Sequence, residues 1–256
     1  MRKLLASSAI AACAIATPAM AEDEADWSGA YVGATVGYTD AKSDQTVVVG
    51  GSWASESQAL RDHVTAFYPS QSKVQDVNFG GQIGYNMAAG GGLVVGLEGD
   101  VSVLSGKETA TRGPTPTTPF PALSYTVTNT FDPKVSYSLR AKAGFAAGNT
   151  LFYATGGWGW ANADIAVDIS SNGGYHKIVN RSETFNGFEI GGGIEHRFGS
   201  SVSLKLEYIY TDKGDVTFDA DYAAGSAFAP PALNYTETFT QDFRMHQVRL
   251  GVNFHF

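Results

Sequence analysis

The chain closes on MHQVRLGVNFHF, Met245–Phe256, in which apolar and polar side chains alternate up to the last residue. A period of two indicates a β-strand with one apolar and one polar face. Soluble domains usually end in a frayed, polar tail, so a terminal phenylalanine that still obeys the pattern predicts a final strand built into a wall. The apolar series on every second position is Leu250, Val252, Phe254 and Phe256.

The N-terminus has the three parts of a secretory signal peptide. It begins with the basic sequence MRK, continues with an apolar stretch, and reaches a small-residue cleavage motif, AMA, that ends at Ala21. This arrangement predicts export and cleavage between Ala21 and Glu22. We therefore expect residues 1–21 to be a signal peptide and residues 22–256 to form one domain.

Cys13 offers an alternative processing site, because IAAC resembles a lipoprotein motif. The residues after Cys13 stay apolar and a regular cleavage motif follows, which favours cleavage at Ala21. Cys13 is the single cysteine of the chain. A chain cleaved at Ala21 has no disulfide, so its rigidity must come from another source.

Composition narrows the class of protein. The chain carries 25 acidic and 17 basic residues, a formal net charge of -8, which makes a nucleic-acid partner a poor expectation. Glycine is abundant at 30 residues, and charged residues make up only 16%. No run of 18 apolar residues follows the signal, so the sequence predicts no membrane-spanning helix. The length suits one all-β domain.

Eight segments repeat the alternation and predict eight strands. In the fifth, the apolar residues change phase between Trp160 and Ile165, which predicts a β-bulge near Ala161–Ala163. The eight segments are 27–39, 73–87, 93–106, 133–145, 151–169, 183–198, 201–211 and 245–256.

The connectors between these segments alternate in length. Strict alternation places all short turns at one end and all long loops at the other, which is typical of an outer-membrane barrel. The second long connector contains RGPTPTTPFP, whose prolines exclude a central strand. We therefore predict an eight-stranded antiparallel up-and-down transmembrane β-barrel with four long extracellular loops and short periplasmic turns. The short turns are 88–92, 147–150 and 199–201, and the long loops are about 40–72, 107–132, 170–182 and 212–241.

The polar faces of the strands carry charges of both signs. A closed interior needs such a balance, because a buried charge is tolerated only when it is paired. The predicted interior charges are Glu98, Asp100, Glu189, Glu195 and Glu207 against Arg140, Lys142, Lys205 and Arg249, with Arg197 as a fifth cation.

The apolar faces distinguish a barrel in lipid from a soluble β-sandwich, in which they would form a core between two sheets. Aromatic residues lie towards the strand ends, as in the interfacial girdles of membrane barrels. Hydrocarbon also excludes an open sheet edge, so the first and last strands must pair. The girdle residues are Tyr38, Tyr85, Trp158, Tyr208, Tyr210 and Phe254.

Four stretches resemble the small outer-membrane proteins of alphaproteobacteria, in the opacity-type, OmpA-like eight-stranded barrel superfamily that is often catalogued as porin family proteins. They are DWSGAYVGATVGY (26–38), YATGGWGWANADI (153–165), LKLEYIYTDKGD (204–215) and RLGVNFHF (249–256). The resemblance implies a Gram-negative outer membrane as the location. It also implies that Leu250, Val252, Phe254 and Phe256 form the signal read by the barrel-assembly machinery.

No pattern indicates a catalytic or metal site. The histidines lack metal-ligand spacing, the glycine-rich pieces lack the G-x-G-x-x-G pattern, and we expect no cofactor. A membrane enzyme would need a Ser or Asp activated by His, and no clustered candidate is present. The five histidines are His63, His176, His196, His246 and His255.

Two features leave alternatives open. The interior charges could plug the barrel or line a narrow pore, and eight strands enclose barely enough room for side chains. The loop aromatics could pack on one another or bind host molecules or lipopolysaccharide sugars. We expect a structural and surface-interaction protein in contact with lipid and lipopolysaccharide, with a small porin as the alternative. The loop aromatics are Trp53, Phe67, Tyr68, Phe218, Tyr222, Phe228 and Tyr235.

Overall fold

The computed structural model describes residues 26–117, 120–231 and 233–256, so the predicted signal peptide and its cleavage site lie outside the described residues. Within these ranges, no helix is long and apolar enough to span a membrane. The elements are β1 (Gly29–Gly51), a 3-10 helix (Ser52–Ser55), α1 (Gln58–Phe67), β2 (Gln71–Gly90), β3 (Leu93–Val103), β4 (Glu108–Pro116), β5 (Ser124–Ala147), β6 (Thr150–Ser171), β7 (His176–Phe198), β8 (Val202–Asp219), β9 (Asp221–Tyr222) and β10 (Tyr235–His255).

The sheet closes on itself as an antiparallel barrel. The ring runs β3-β2-β1-β10-β8-β7-β6-β5, and β3 pairs with β5 to complete it. The first and last strands pair, from Tyr31 opposite His255 to Thr39 opposite Gln247. The predicted fold, with its short turns at one end, is confirmed. Above the ring, β4 pairs with β5 and the short β9 pairs with β7.

The outward face is an apolar belt. Val77, Leu139 and Leu206 are 44%, 58% and 49% exposed, as expected for side chains that face lipid and not a second sheet. The sandwich alternative is therefore wrong. Inward positions alternate with this belt along each strand, because successive side chains point to opposite faces.

The strands continue far beyond the belt. β1 runs to Gly51 and β10 starts at Tyr235, so much of the predicted loops 40–72 and 212–241 is strand. Outward threonines pair across these extensions, with Thr111 Oγ1 3.0 Å from Thr128 Oγ1. Polar outer pairs and long strands indicate a barrel that projects into water above the lipid. The proline-rich segment also contributes a strand, β4, although only at an edge, where proline is tolerated.

The predicted bulge near Ala161–Ala163 is wrong. β6 stays in continuous register with β7 from Thr150 to Ser170. Ile165, Val167 and Ile169 are buried on the same inward face as Tyr153. The apolar phase changes because the barrel interior changes from polar to apolar at this height. The irregularity lies on the neighbouring strand β5, between Pro133 and Val135.

Candidate functional site

All nine predicted interior charges lie inside the barrel. The inward alternation of five strands brings them into one connected network of ion pairs, although they are far apart in sequence. Glu98 and Asp100 lie on β3, Arg140 and Lys142 on β5, Glu189 and Glu195 on β7, Lys205 and Glu207 on β8, and Arg249 on β10.

Two arginines form the centre of this charged layer. Arg140 NH2 lies 2.6 Å from Glu98 Oε1 and 2.8 Å from Asp100 Oδ2. Arg249 Nε lies 2.7 Å from Glu207 Oε2, and its NH1 lies 3.0 Å from Asp100 Oδ1. Arg140 therefore holds both carboxylates of β3, with Glu207 of β8 3.5 Å from its NH1, and Arg249 bridges carboxylates of β3 and β8. Charge-assisted bonds of this length are among the stronger hydrogen bonds in proteins.

Two lysines and two tyrosines complete the layer on the periplasmic side. Lys205 Nζ lies 2.9 Å from Glu98, and Lys142 Nζ lies 3.4 Å from the same carboxylate. The Tyr31 hydroxyl donates to Glu98 at 2.7 Å, and that of Tyr153 donates to Glu207 at 2.9 Å. Lys142 also lies over both rings, 4.9 Å and 4.6 Å from their centroids. Neither tyrosine is among the residues predicted from the sequence, although the inward phase of both was an available signal.

Two further charged residues lie elsewhere than predicted. Arg197 is not in the layer: its guanidinium contacts the carbonyls of Asp26 and Ser200 at the periplasmic mouth. Lys213, placed in a loop by the sequence analysis, is buried and donates to Glu189 at 2.7 Å. The regular alternation of β8, which buries Glu207 and Thr211, also turns the Lys213 side chain inward.

An apolar layer fills the barrel above the charges. The rings of Phe131, Phe185 and Phe243 are fully buried and pack edge to face, with centroids 5.2 to 6.2 Å apart. Met245 and Ala163 are buried in the same cluster. Edge-to-face packing of buried rings is favourable and leaves little room for water.

The loop aromatics close the extracellular mouth. Ser57 accepts a hydrogen bond from the Leu60 backbone and caps α1, whose Leu60 and Val64 are buried. Trp53 Nε1 donates to Glu237 Oε1 at 2.6 Å, and the Tyr175 hydroxyl donates to the same oxygen.

Burial, reinforced by the Glu237 charge, raises the pKa of Tyr175 well above its usual value. The Glu237 carboxylate itself is balanced by Lys177, whose Nζ lies 3.1 Å away. Of the predicted loop aromatics, Trp53, Tyr68, Phe218 and Tyr235 are buried and Phe228 is exposed.

The terminal strand carries the remaining predicted positions: His255 at the periplasmic end, and the residues of the proposed assembly signal on the outer wall. His255 Nε2 lies 2.9 Å from Ser203 Oγ and 3.4 Å from Glu195 Oε1. Among the described residues, no group of three or more His, Cys, Asp or Glu is placed to hold a metal ion. In the proposed assembly signal, Leu250, Val252 and Phe254 face outward, and Phe256 is 82% exposed.

A closed barrel with a lipid-facing belt and a filled interior defines an integral outer-membrane protein. The family model described as outer membrane protein beta-barrel domain matches residues 9–256, and the chain belongs to this family. It is located in the outer membrane.

Curated relatives agree with this assignment. The chain is 25% identical over 268 residues to the 31 kDa outer-membrane immunogenic protein of Brucella melitensis, covering 99% of this chain and 95% of the relative. It is 26% identical over 180 residues to the 22 kDa outer membrane protein of Rhizobium leguminosarum bv. viciae, covering 70% of this chain and 66% of the relative.

Similar solved structures are more distant. The outer membrane protein OprG from Pseudomonas aeruginosa is 10% identical with a TM-score of 0.46, covering 91% of this chain and 99% of that chain. Ail of Yersinia pestis, solved with the heparin analogue sucrose octasulfate, is 13% identical with a TM-score of 0.37, covering 89% and 99%.

Proposed function

We propose that this protein is a non-enzymatic structural barrel that presents its loops outside the cell and does not conduct ions. The observation that carries the proposal is the interior, which is occupied by two successive layers of side chains. The charged layer around Arg140 and Arg249 lies below, and the aromatic layer around Phe243 lies above. An ion would have to cross both.

The charged layer supports a plug more than a selectivity filter. Its carboxylates are held by cations from other strands, as Glu98 is by Arg140 and Lys205. A permeating ion would have to compete with contacts of 2.6 to 2.9 Å that are already made. An eight-stranded barrel has room for side chains inside but not for an open aqueous channel as well.

The outer surface supports a role at the cell envelope. We propose that the apolar belt contacts outer-membrane lipid and that the strand extensions contact lipopolysaccharide. The terminal residues from Leu250 to Phe256 would be recognised by the barrel-assembly machinery. The Brucella relative is named as immunogenic, and surface loops of this length are accessible to antibodies.

Single-channel recording tests the proposal. The chain is refolded, its folding is verified by heat-modifiable migration, and it is inserted into a planar bilayer. We expect no conductance steps. Steps that disappear in Glu207→Gln or Arg249→Gln would favour the small-porin alternative, because those side chains would then lie on the ion path. Turnover of lipid or peptide by the refolded barrel would contradict the non-enzymatic part.

A further inference from the structure

The surface connectors meet at one cavity at the extracellular mouth. It has a volume of about 170 Å³ and opens to the outside. Residues from the β1–β2, β4–β5, β6–β7 and β8–β10 connections or their flanking strand ends contribute to it. Its walls include Trp53, Tyr125, Tyr175, Phe228 and Tyr235, with Glu56 among them.

Three side-chain donors of these walls are already engaged. The Tyr175 hydroxyl and the Trp53 indole N–H both donate to Glu237, and the Tyr235 hydroxyl donates to Glu56 at 2.6 Å. Few donors therefore remain for the several hydroxyl groups of a sugar. What the walls offer a ligand is mainly aromatic ring surface.

The charge of the cavity is negative. Among the described residues that line it, Glu56 is the one with a charge. The nearby Arg61 directs its guanidinium to the backbone carbonyls of Trp53, Ala54 and Glu56 and makes no described contact with the Glu56 carboxylate. An anionic ligand would meet aromatic rings and a carboxylate, which disfavours it.

We propose that this cavity binds a small organic cation of the alkylammonium or quaternary ammonium class. Aromatic rings attract such cations through their negative faces, and a carboxylate adds direct charge attraction. A cavity of about 150 Å³ holds one benzene molecule, so a cavity of this size suits a single compact headgroup.

The backbone at the rim supports a built site. Phe228 has a φ of 65°, which a bulky residue seldom adopts. This conformation keeps its exposed ring near Tyr235, with centroids 6.4 Å apart. Strained backbone that persists at a cavity is a frequent feature of ligand sites. The inference gives the proposed surface role a ligand class but does not depend on whether the barrel conducts.

Calorimetric titration of the folded full-length barrel in detergent tests the proposal, with choline as the probe. Its neutral isostere, 3,3-dimethylbutan-1-ol, has the same shape without the charge. We expect saturable choline binding and at least about tenfold weaker binding of the isostere. Glu56→Gln keeps an acceptor for Tyr235 and should weaken choline binding by about tenfold while leaving binding of the isostere unchanged.

The matched control is Asp62→Asn, on the exposed face of α1 and outside the cavity, which should leave choline binding unchanged. Phe228→Ala is a second variant and should weaken choline binding several-fold without changing thermal stability. Absent choline binding, equal binding of choline and its isostere, or an equal effect of the two acidic variants would overturn the inference. None of those results bears on whether the barrel conducts ions, so the ligand proposal and the proposed function can fail separately.

Discussion

Glu98 and Arg140 lie directly opposite each other on β3 and β5, the pair of strands that closes the barrel, with Arg140 NH2 2.6 Å from Glu98 Oε1. The pair is buried and links the closing strands through side chains as well as through the backbone ladder. Glu98 also accepts from Tyr31 on β1 and from Lys205 on β8. One carboxylate therefore connects four of the strands around the interior.

Arg140→Met should destabilise the folded barrel by about 3–5 kcal/mol, because it leaves buried carboxylates without their cation. Urea unfolding in lipid vesicles, followed by tryptophan fluorescence, measures the change. Lys134→Met is the control, since Lys134 forms an exposed pair with Asp132. Exposed pairs contribute little, so the control should unfold close to the wild type. Equal shifts in both variants would mean that the interior pairs do not hold the wall together.

The sequence was sufficient to predict the ring and its polar interior. Period-two alternation reports directly which side chains face lipid, and Val77 and Leu206 lie where the pattern placed them. The inward positions of Glu98 and Arg140 follow from the same alternation. Which carboxylate meets which cation could not be predicted, because that depends on the stagger between strands.

The part above the lipid was harder to predict. There the interior is apolar and the outer face is polar, so the pattern inverts while the strand continues. Ile165 was therefore attributed to a bulge although its strand is regular. Trp53 and Glu237 come together across 184 positions of sequence, and no local pattern reports such a contact.

Phe243→Ala should destabilise the barrel by roughly 3–5 kcal/mol, because it opens a cavity between the rings of Phe131 and Phe185. Urea unfolding in lipid vesicles, as for Arg140→Met, measures this loss of stability. Val48→Ala, on the outer face of β1, is the control and should have a small effect, since Val48 is exposed. A small effect of Phe243→Ala would show that the aromatic layer is loosely packed and would weaken the plug proposal.

Glu237→Gln should loosen the extracellular mouth without unfolding the ring. The carboxylate accepts from Trp53 and Tyr175 and balances buried Lys177, so its neutralisation leaves an unpaired cation beside the loops. We expect faster protease cleavage within residues 52–67, measured by mass spectrometry, while heat-modifiable migration is retained. Asp168→Asn, an exposed substitution on the outer face of β6, should leave the cleavage rate unchanged. Unchanged cleavage in Glu237→Gln would mean that other contacts hold the loop.

Alkaline pH should destabilise the folded extracellular mouth, because the buried Tyr125 loses its proton. Burial raises the pKa of Tyr125 to about 12 in the folded protein, against about 10 when unfolded. The stabilisation is complete below pH of about 10 and is lost as the pH rises through about 12, because the unfolded form releases its proton first. In Tyr125→Phe, absorbance at 295 nm should show that one fewer tyrosine ionises near pH 12 than in the wild type. If the tyrosine lost in that variant instead ionises near pH of about 10, burial does not raise the pKa of Tyr125.

Phe256→Ala should impair recognition by the barrel-assembly machinery without lowering the stability of the folded barrel. In the fold, Phe256 donates one backbone hydrogen bond, to the Ala30 carbonyl at 2.9 Å, and its ring is exposed. The substitution keeps that bond, so refolding in vitro and the urea midpoint should stay near wild type. In cells, we expect a several-fold lower yield of assembled barrel, measured by heat-modifiable migration of outer-membrane fractions. Val252→Ala, farther from the terminus, should reduce assembly less. An equal loss of stability in vitro and of assembly in cells would show that the ring acts through the fold and not through recognition by the assembly machinery.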